Sequence, residues 1–423
     1  MTDTIYPEIT DGKFWQQPLG DRMSRFAELR EIAPFLPAQI SHPLFGLGDK
    51  FVVTTRYAEV VEISRRPQDF CSGKGAVAVQ DMPDFANEFF GSFINMDDPR
   101  HARQRAIVAR SFTPRQLQGV LDSVETISNE LIDAMCVKGR ETGGEVDLVE
   151  AFSAPFPLLV ICDMMGIPRS EFDTVLKATN AILGAGDPEM TGGDMSGMME
   201  SAMQLMQLVN ELAEKRRKDP QDDLTTALVH TDHGEDVLAE NEIAPFFILL
   251  AVAGNDTTRT AISHGMNLLA LNPDQRRIWQ DNLEGVTPSA VEEIVRVASP
   301  VTFMRRTATC DTTVGDHAFS EGDKVVLLYG VANRDPRVFD EPETFNVLRD
   351  PNPHVGFGGP GPHFCLGAHL ARREVSVAFR QLLTRLPDIE ITAEPTPLEG
   401  MGLPLVGGIK RLPVRFTPTL PRA

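Results

Sequence analysis

Cys365 closes the run His354-Val355-Gly356-Phe357-Gly358-Gly359-Pro360-Gly361-Pro362-His363-Phe364-Cys365-Leu366-Gly367. A loop this rich in Gly and Pro is rigid, and it delivers one cysteine to the predicted first turn of a helix. That helix is read from Leu370, Ala371, Val375, Ala378, Phe379, Leu382, Leu383 and Leu386, spaced by threes and fours, with Pro387 as its stop. A helix N-terminus offers unpaired N–H groups and the positive end of the dipole, and both favour thiolate over thiol. Thiolate binds soft metals. Glycines let the backbone lie against a flat group and aim amides at the sulfur. The set suits an axial thiolate on haem iron, which pushes electron density toward O–O cleavage. Taken alone, a cysteine after a turn reads as a buried structural residue. The flanking glycines and matching segments elsewhere favour the metal ligand.

A second constellation is Ala253-Gly254-Asn255-Asp256-Thr257-Thr258, in the middle of the longest helical candidate, Ile243 to Leu271. Gly, Asn, Asp and Thr are poor helix-interior residues. A threonine hydroxyl can bond the i−4 carbonyl and open the ladder locally. An opened turn beside an acid can hold water and relay the two protons that O₂ cleavage consumes. The pattern fits equally a loop between two shorter helices, or a polar face turned to water.

Basic and paired residues form a third set. His101 and Arg105 share a helical face at i, i+4; Arg305-Arg306 opens a β region; Glu293 and Arg296 share a face at i, i+3. Such bases suit two carboxylates of a cofactor, or simply dock helices. The Glu293–Arg296 pair alone reads as an ordinary surface ion pair.

These groups need elements to hold them. Across the 423 residues there is no repeat, low-complexity tract or dividing linker, and residues 1–423 read as one domain. A short helix is predicted near Met23–Ile32 and a strand at Phe51–Thr55. Helix prevails from Pro99 to about Lys218, two more helices follow in residues 237–298, and strands at Cys310–Val314 and Lys324–Tyr329. The fold class is mainly α with a minor β portion. Five scattered cysteines argue against disulfides or a zinc site and for a reducing compartment. The N-terminus lacks a signal pattern, and the longest apolar run is shorter than the about 20 residues a bilayer span needs. The expectation is a cytoplasmic protein that does not span membranes. A net charge of −20 argues against nucleic acid as a partner.

Together, in this order, the segments resemble the cytochrome P-450 superfamily of haem-thiolate monooxygenases, over nearly the whole chain. The resemblance implies the single-domain P-450 fold, haem b with Cys365 as iron ligand, and Asp256 and Thr257 as the proton-delivery pair. It implies His101, Arg105, Arg306 and His363 at the haem propionates, Gly254 and Phe357 at the haem, and Glu293 and Arg296 as structure. Two departures stand out. The usual loop has Phe seven residues before the cysteine, whereas Phe357 lies eight before. Thr344 stands where many members have the third arm, an Arg, of a Glu–Arg–Arg scaffold. The longer loop, with Ala253–Arg259, Ile161–Pro168 and Ser299–Arg306, resembles an actinobacterial group that hydroxylates methyl-branched lipids and sterol side chains.

The implied activity inserts one atom of O₂ into an unactivated C–H bond, by resemblance a terminal methyl, of a branched lipid, isoprenoid or sterol side chain. Electrons would come through a separate ferredoxin reductase and ferredoxin. Arg103, Arg115, Arg372 and Arg373 are expected to form the ferredoxin's basic docking patch. A mobile lid over an apolar pocket is expected from Phe85, Phe89, Phe90, Phe93 and Ile94, and from Met190, Met195, Met198, Met199, Met203 and Met206. These Met residues alternatively fill a helix face. Rival activities are a peroxygenase driven by H₂O₂, which has no need of the Asp256–Thr257 relay, and a haem gas sensor, which would have no relay and usually carries an output domain.

Overall fold

The computed structural model describes residues 5–42, 46–81, 87, 92–111, 114–183, 189, 195–230, 237–399 and 402–420. The N-terminal part is α1 (Leu19–Ile32), β1 (Phe35–His42), β2 (Gly46–Thr54), α2 (Tyr57–Ser64) and β3 (Phe70–Cys71). Helices then dominate: α3 (Arg100–Ser111), α4 (Pro114–Thr142), α5 (Pro155–Met165), α6 (Phe172–Leu183), α7 (Met195–Lys218), α8 (Glu240–Leu271), α9 (Pro273–Asp281) and α10 (Leu283–Ala298). Strands β4 (Phe303–Ala308) and β5 (Lys324–Leu328) precede the last long helix, α11 (Ala368–Arg385). Three helices, rather than the expected two, fill residues 237–298. Pro273, at the first position of α9, ends one helix and begins the next, as its fixed φ and missing N–H permit.

The five-stranded sheet runs β1-β2-β5-β4-β3. Only the β2–β5 pair is parallel, with Val52 opposite Val325, and β5 carries five consecutive buried residues. That continuous apolar run is what a strand covered on both faces requires.

The main core gathers residues of α5, α8, α10 and α11, among them Phe156, Phe247, Ile294 and Phe379. Helix α5 is buried nearly all round, and α8 crosses it closely. A Cβ on Gly254 would lie 2.8 Å from Ile161 Cδ1. The glycine is therefore spent on this helix crossing. Helix α8 starts where Glu242 Oε2 accepts the Ala239 N–H at 2.8 Å. It runs unbroken through Ala253–Thr258 to Leu271, so the polar segment is not a loop, and its Asn255, Asp256 and Thr258 are buried.

Candidate functional site

The cysteine loop is folded back on itself and braced from outside. The Cys365 N–H donates to the Phe357 carbonyl at 2.9 Å and the Phe364 N–H to Gly361 at 3.2 Å. A Cβ on Gly361 would strike the Ser64 carbonyl, so only glycine lets the loop lie on the end of α2. Arg372 places its guanidinium 4.3 Å from the Phe357 ring centroid and donates to Glu292 at 2.5 and 2.8 Å. His354 Nε2 meets the same carboxylate at 3.0 Å. Burial raises the Glu292 carboxyl, but Arg372 and His354 outweigh it and hold the group at about 2. Phe357, one residue displaced from the usual position, is thus part of the loop's brace.

Cys365 does not sit in the first helical turn. Helix α11 begins at Ala368, with Gly367 as its cap, and the cysteine lies just ahead on the loop. Glycine at the cap and its neighbourhood of turns delay the helix. The residue is exposed on one side and ringed by protein on the others. Burial pushes its thiol up, while the Gly367 N–H, Arg105 and Arg372 pull it down. Metal coordination deprotonates a thiol outright.

The predicted bases converge on this loop. Arg105 Nη2 donates to the Phe364 carbonyl at 2.6 Å, and the His101 and His363 rings lie 4.2 Å apart. Burial, Arg306, His101 and Arg105 together push His363 down to about 2. Alternation along β4 turns Arg305 to one face, where it meets Asp81 at 2.9 Å, and Arg306 to the other. Arg306 is buried and donates to the Arg305 carbonyl at 2.8 Å, with no carboxylate partner among the described residues. His101 is buried with Nε2 unpartnered, its other nitrogen 3.4 Å from Asp98. Two arginines without a carboxylate partner among the described residues and two histidines beside them, next to an open cysteine sulfur, fit a metal macrocycle that carries two carboxylates. Haem b is such a group, and its propionates would take these bases.

The middle of α8 has the predicted back-bond, with Thr257 Oγ1 donating to the Ala253 carbonyl at 2.8 Å. Asp256 is 5% exposed, its Oδ1 has no partner, and burial lifts its carboxyl to about 7. Arg259 opposes the lift and is itself held by Asn180 Oδ1 at 3.2 Å. An acid poised near neutrality with a free oxygen can both give and take a proton.

The structure adds Glu374, which the sequence reading missed, and shows how Asn255 is placed. Glu374 of α11 is buried and accepts the Thr258 hydroxyl at 3.0 Å, and burial lifts its carboxyl to about 8. Its Oε1 has no partner. Asn255, fully buried, has neither its Nδ2 nor its Oδ1 paired. The polar cluster is therefore Asn255, Asp256, Thr257, Thr258 and Glu374. A glutamate nine residues after the cysteine on an apolar helix stripe was the available signal.

Glu293 and Arg296 are not a surface pair. Both are fully buried and joined at 2.7 and 2.8 Å. Arg349 is the missing third arm, donating through Nε to the Glu293 carboxylate at 3.1 and 3.2 Å. At the position of the usual third arginine, the Thr344 carbonyl accepts from Arg296 and Arg349, both at 3.0 Å.

Other expectations fare differently. The basic patch is largely neutralised: Arg103 pairs with Glu242 at 2.9 Å, Arg372 with Glu292, and Arg373 with Glu125 at 2.9 Å. These arginines are ion-paired yet partly exposed, and the Arg115 side chain lies outside the described residues. Phe93 is buried and stacks on Phe246 at 6.2 Å, while Phe85, Phe89, Phe90 and Met190 lie outside the described residues. On α7, Met203 is half exposed and Met206 packs on the core. The side chains of Met195 and Met198 lie outside the described residues, and Met199 is half-buried. No helix among the described residues is long and apolar enough to cross a membrane.

Comparison with known proteins bears on the same site. The family model for cytochrome P450 matches residues 45–405. A methyl-branched lipid omega-hydroxylase of Mycobacterium tuberculosis is 43% identical over 412 residues, covering 97% of this chain and 94% of that protein. A steroid C26-monooxygenase of Mycolicibacterium smegmatis is 36% identical over 93% of this chain and 90% of its own length. Among solved structures, the Mycobacterium marinum cytochrome P450 CYP268A2 in complex with pseudoionone superposes with a TM-score of 0.88 at 38% identity, covering 98% of this chain and all of that one. Members of the family bind haem b through a cysteine thiolate. With the cysteine loop, the converging bases and the buried acids in their places, the chain belongs to the cytochrome P450 family and is a monooxygenase.

Proposed function

We propose that this monooxygenase hydroxylates the terminal methyl of a methyl-branched lipid, isoprenoid or sterol side chain, and that residues 1–423 act as one catalytic domain in the cytoplasm. The observation that carries the substrate class is the 43% identity to a methyl-branched lipid omega-hydroxylase across 97% of the chain. Haem b supplies the O₂-activating chemistry when bound. Cys365 is its thiolate ligand, and Phe357 and Arg372 hold the loop that aims the sulfur. His101, Arg105, Arg306 and His363 would hold the propionates, and Gly254 lets α8 cross close to Ile161 of α5.

Asp256 and Thr257 carry the protons. Asp256 Oδ1 releases and regains a proton at neutral pH, and Thr257, tied to Ala253, presents its hydroxyl oxygen to accept a hydrogen bond. Glu374, through Thr258, holds a further proton in reserve beneath them. Electrons arrive from NAD(P)H through a ferredoxin reductase and a ferredoxin. The ferredoxin docks on the cysteine side, where Phe364 is exposed and Arg103, Arg372 and Arg373 are partly exposed.

The test is turnover with O₂, NAD(P)H and a ferredoxin–reductase pair on branched fatty acids, isoprenoids and cholesterol-type sterols, with products located by mass spectrometry. Terminal alcohols support the reading. Mainly mid-chain oxidation, or binding of small polar rings only, removes the substrate class. Product formed only with H₂O₂ makes the protein a peroxygenase.

A further inference from the structure

Glu292 of α10 stands one residue before Glu293, yet the two glutamates reach different parts of the chain. Glu293 takes its donors from Arg296 of its own helix and from Asn346, Arg349 and Asn352, all ahead of the cysteine loop. Glu292 takes its donors from that loop and from the helix after it. Its Oε1 accepts from Arg372 Nε at 2.5 Å and its Oε2 from Arg372 Nη2 at 2.8 Å, the two-pronged geometry that fixes a guanidinium in place. Oε2 also meets His354 Nε2 at 3.0 Å. The Gly356 N–H donates to His354 Nδ1 at 3.1 Å, so Nε2 carries the hydrogen and donates to the carboxylate. One carboxylate therefore ties down the chain on both sides of Cys365.

The tie reaches the cysteine through one ring. Arg372 lies over Phe357, 4.3 Å from the ring centroid, and the Phe357 carbonyl accepts the Cys365 N–H at 2.9 Å. Beside Phe357, Gly356 is pressed on α10, where a Cβ would fall 2.7 Å from Val295 Cγ1. The loop thus has two supports on one helix, close packing at Val295 and the ion pair at Glu292. Arg372 is 32% exposed and Glu292 27%. A pair this exposed adds little to the stability of the whole chain, and the Glu293 clamp already anchors α10. What Glu292 controls is where the Phe357 carbonyl sits.

We propose that Glu292 is a positioning residue for the cysteine sulfur: through Arg372 and Phe357 it fixes the backbone that aims Cys365 and holds it in its ligating place. The proposal rests on Cys365 being the haem ligand.

The experiment follows the reduced CO adduct of the holoenzyme in mild urea for wild type, Glu292→Gln, Arg372→Lys and the double variant. The readouts are the rate at which the red-shifted Soret band of thiolate ligation is lost, and the thermal unfolding midpoint. Glu292→Gln should speed the loss by roughly tenfold or more, the equivalent of one charge-assisted hydrogen bond, with its unfolding midpoint close to wild type. Arg372→Lys keeps the charge but gives up the two-pronged bond and the contact with the ring, and should act alike. It also decides the matter by the same readouts if Glu292→Gln takes up no haem. The double variant should be no worse than the stronger single change, because both cut one chain of contacts. Band loss at the wild-type rate in the single variants, or effects that add in the double variant, would overturn the proposal. Faster band loss that only tracks a lower unfolding midpoint would also overturn it and leave Glu292 a structural residue. A wild-type adduct without the red-shifted band would remove Cys365 as ligand, and this proposal with it.

Discussion

The buried carboxylate of Glu293 and the buried carboxylates of Asp256 and Glu374 live in opposite conditions. Glu293 accepts from Arg296, Arg349, the Asn346 N–H and Asn352, and its charge is fully met. Asp256 and Glu374 each keep an oxygen with no partner, and Asn255 between them keeps both its polar atoms free. The first arrangement is a clamp that joins α10 to the segment leading into the cysteine loop. The second is expensive in isolation, since unpaired buried polar atoms lose their hydration. Saturated buried charge marks architecture, and unsaturated buried charge marks where water, proton or ligand belongs.

Breaking the saturated side should have the largest effect. Arg296→Ala leaves Glu293 buried with its main partner gone, which costs about 3–5 kcal/mol. The variant should yield little folded holoprotein, measured by thermal unfolding and by haem per chain. On the unsaturated side, Asp256→Asn should leave the fold and haem content intact and slow turnover roughly 10²–10⁴-fold. Normal unfolding with normal turnover would erase the distinction between the two regions.

Titration sharpens it. The folded state holds the Glu374 proton up to about 8, against an ordinary value of 4.5. Between those values the folded chain binds more protons than the unfolded one, so this group's contribution is full below 4.5 and is lost as pH rises through 8. Glu374→Gln should therefore gain stability on wild type as pH rises across that window and show no gain below it. A parallel pair of pH–stability curves would count against the lifted carboxyl.

A smaller effect is expected at Thr257. Thr257→Ala loses one hydroxyl bond to Ala253, should shift stability by no more than about 1 kcal/mol, and should divert reducing equivalents to peroxide at unchanged NAD(P)H consumption. Smallest of all, Arg103→Ala breaks a partly exposed pair with Glu242 and should cost about 0–1 kcal/mol, with ferredoxin-dependent rates nearly unchanged. A large loss of rate would return Arg103 to a docking role.

What the sequence disclosed follows the range of the interactions. The Thr257–Ala253 bond, the Glu293–Arg296 pair and the His101–Arg105 face are all within four residues, so spacing shows them. Arg349 lies 56 residues from Glu293 and Glu374 lies 116 from Thr258, and no local pattern links them. The same blindness made Arg103, Arg372 and Arg373 look like a free patch, because their carboxylate partners come from distant helices. The fold class and the long helices were legible from periodicity. Helix starts were less so: Gly367 holds off α11 until after Cys365, and α1 begins at Leu19 rather than near Met23.

The central claim is that Cys365 is the thiolate that holds haem iron. The direct measurement is the absorption spectrum of the reduced CO adduct in wild type, Cys365→His and a variant with the other four cysteines changed to Ser. The strongly red-shifted Soret band of thiolate ligation should be present in wild type and in the four-Ser variant and absent in Cys365→His. A Cys365→His protein that keeps the band would contradict the assignment and place the ligand on another cysteine.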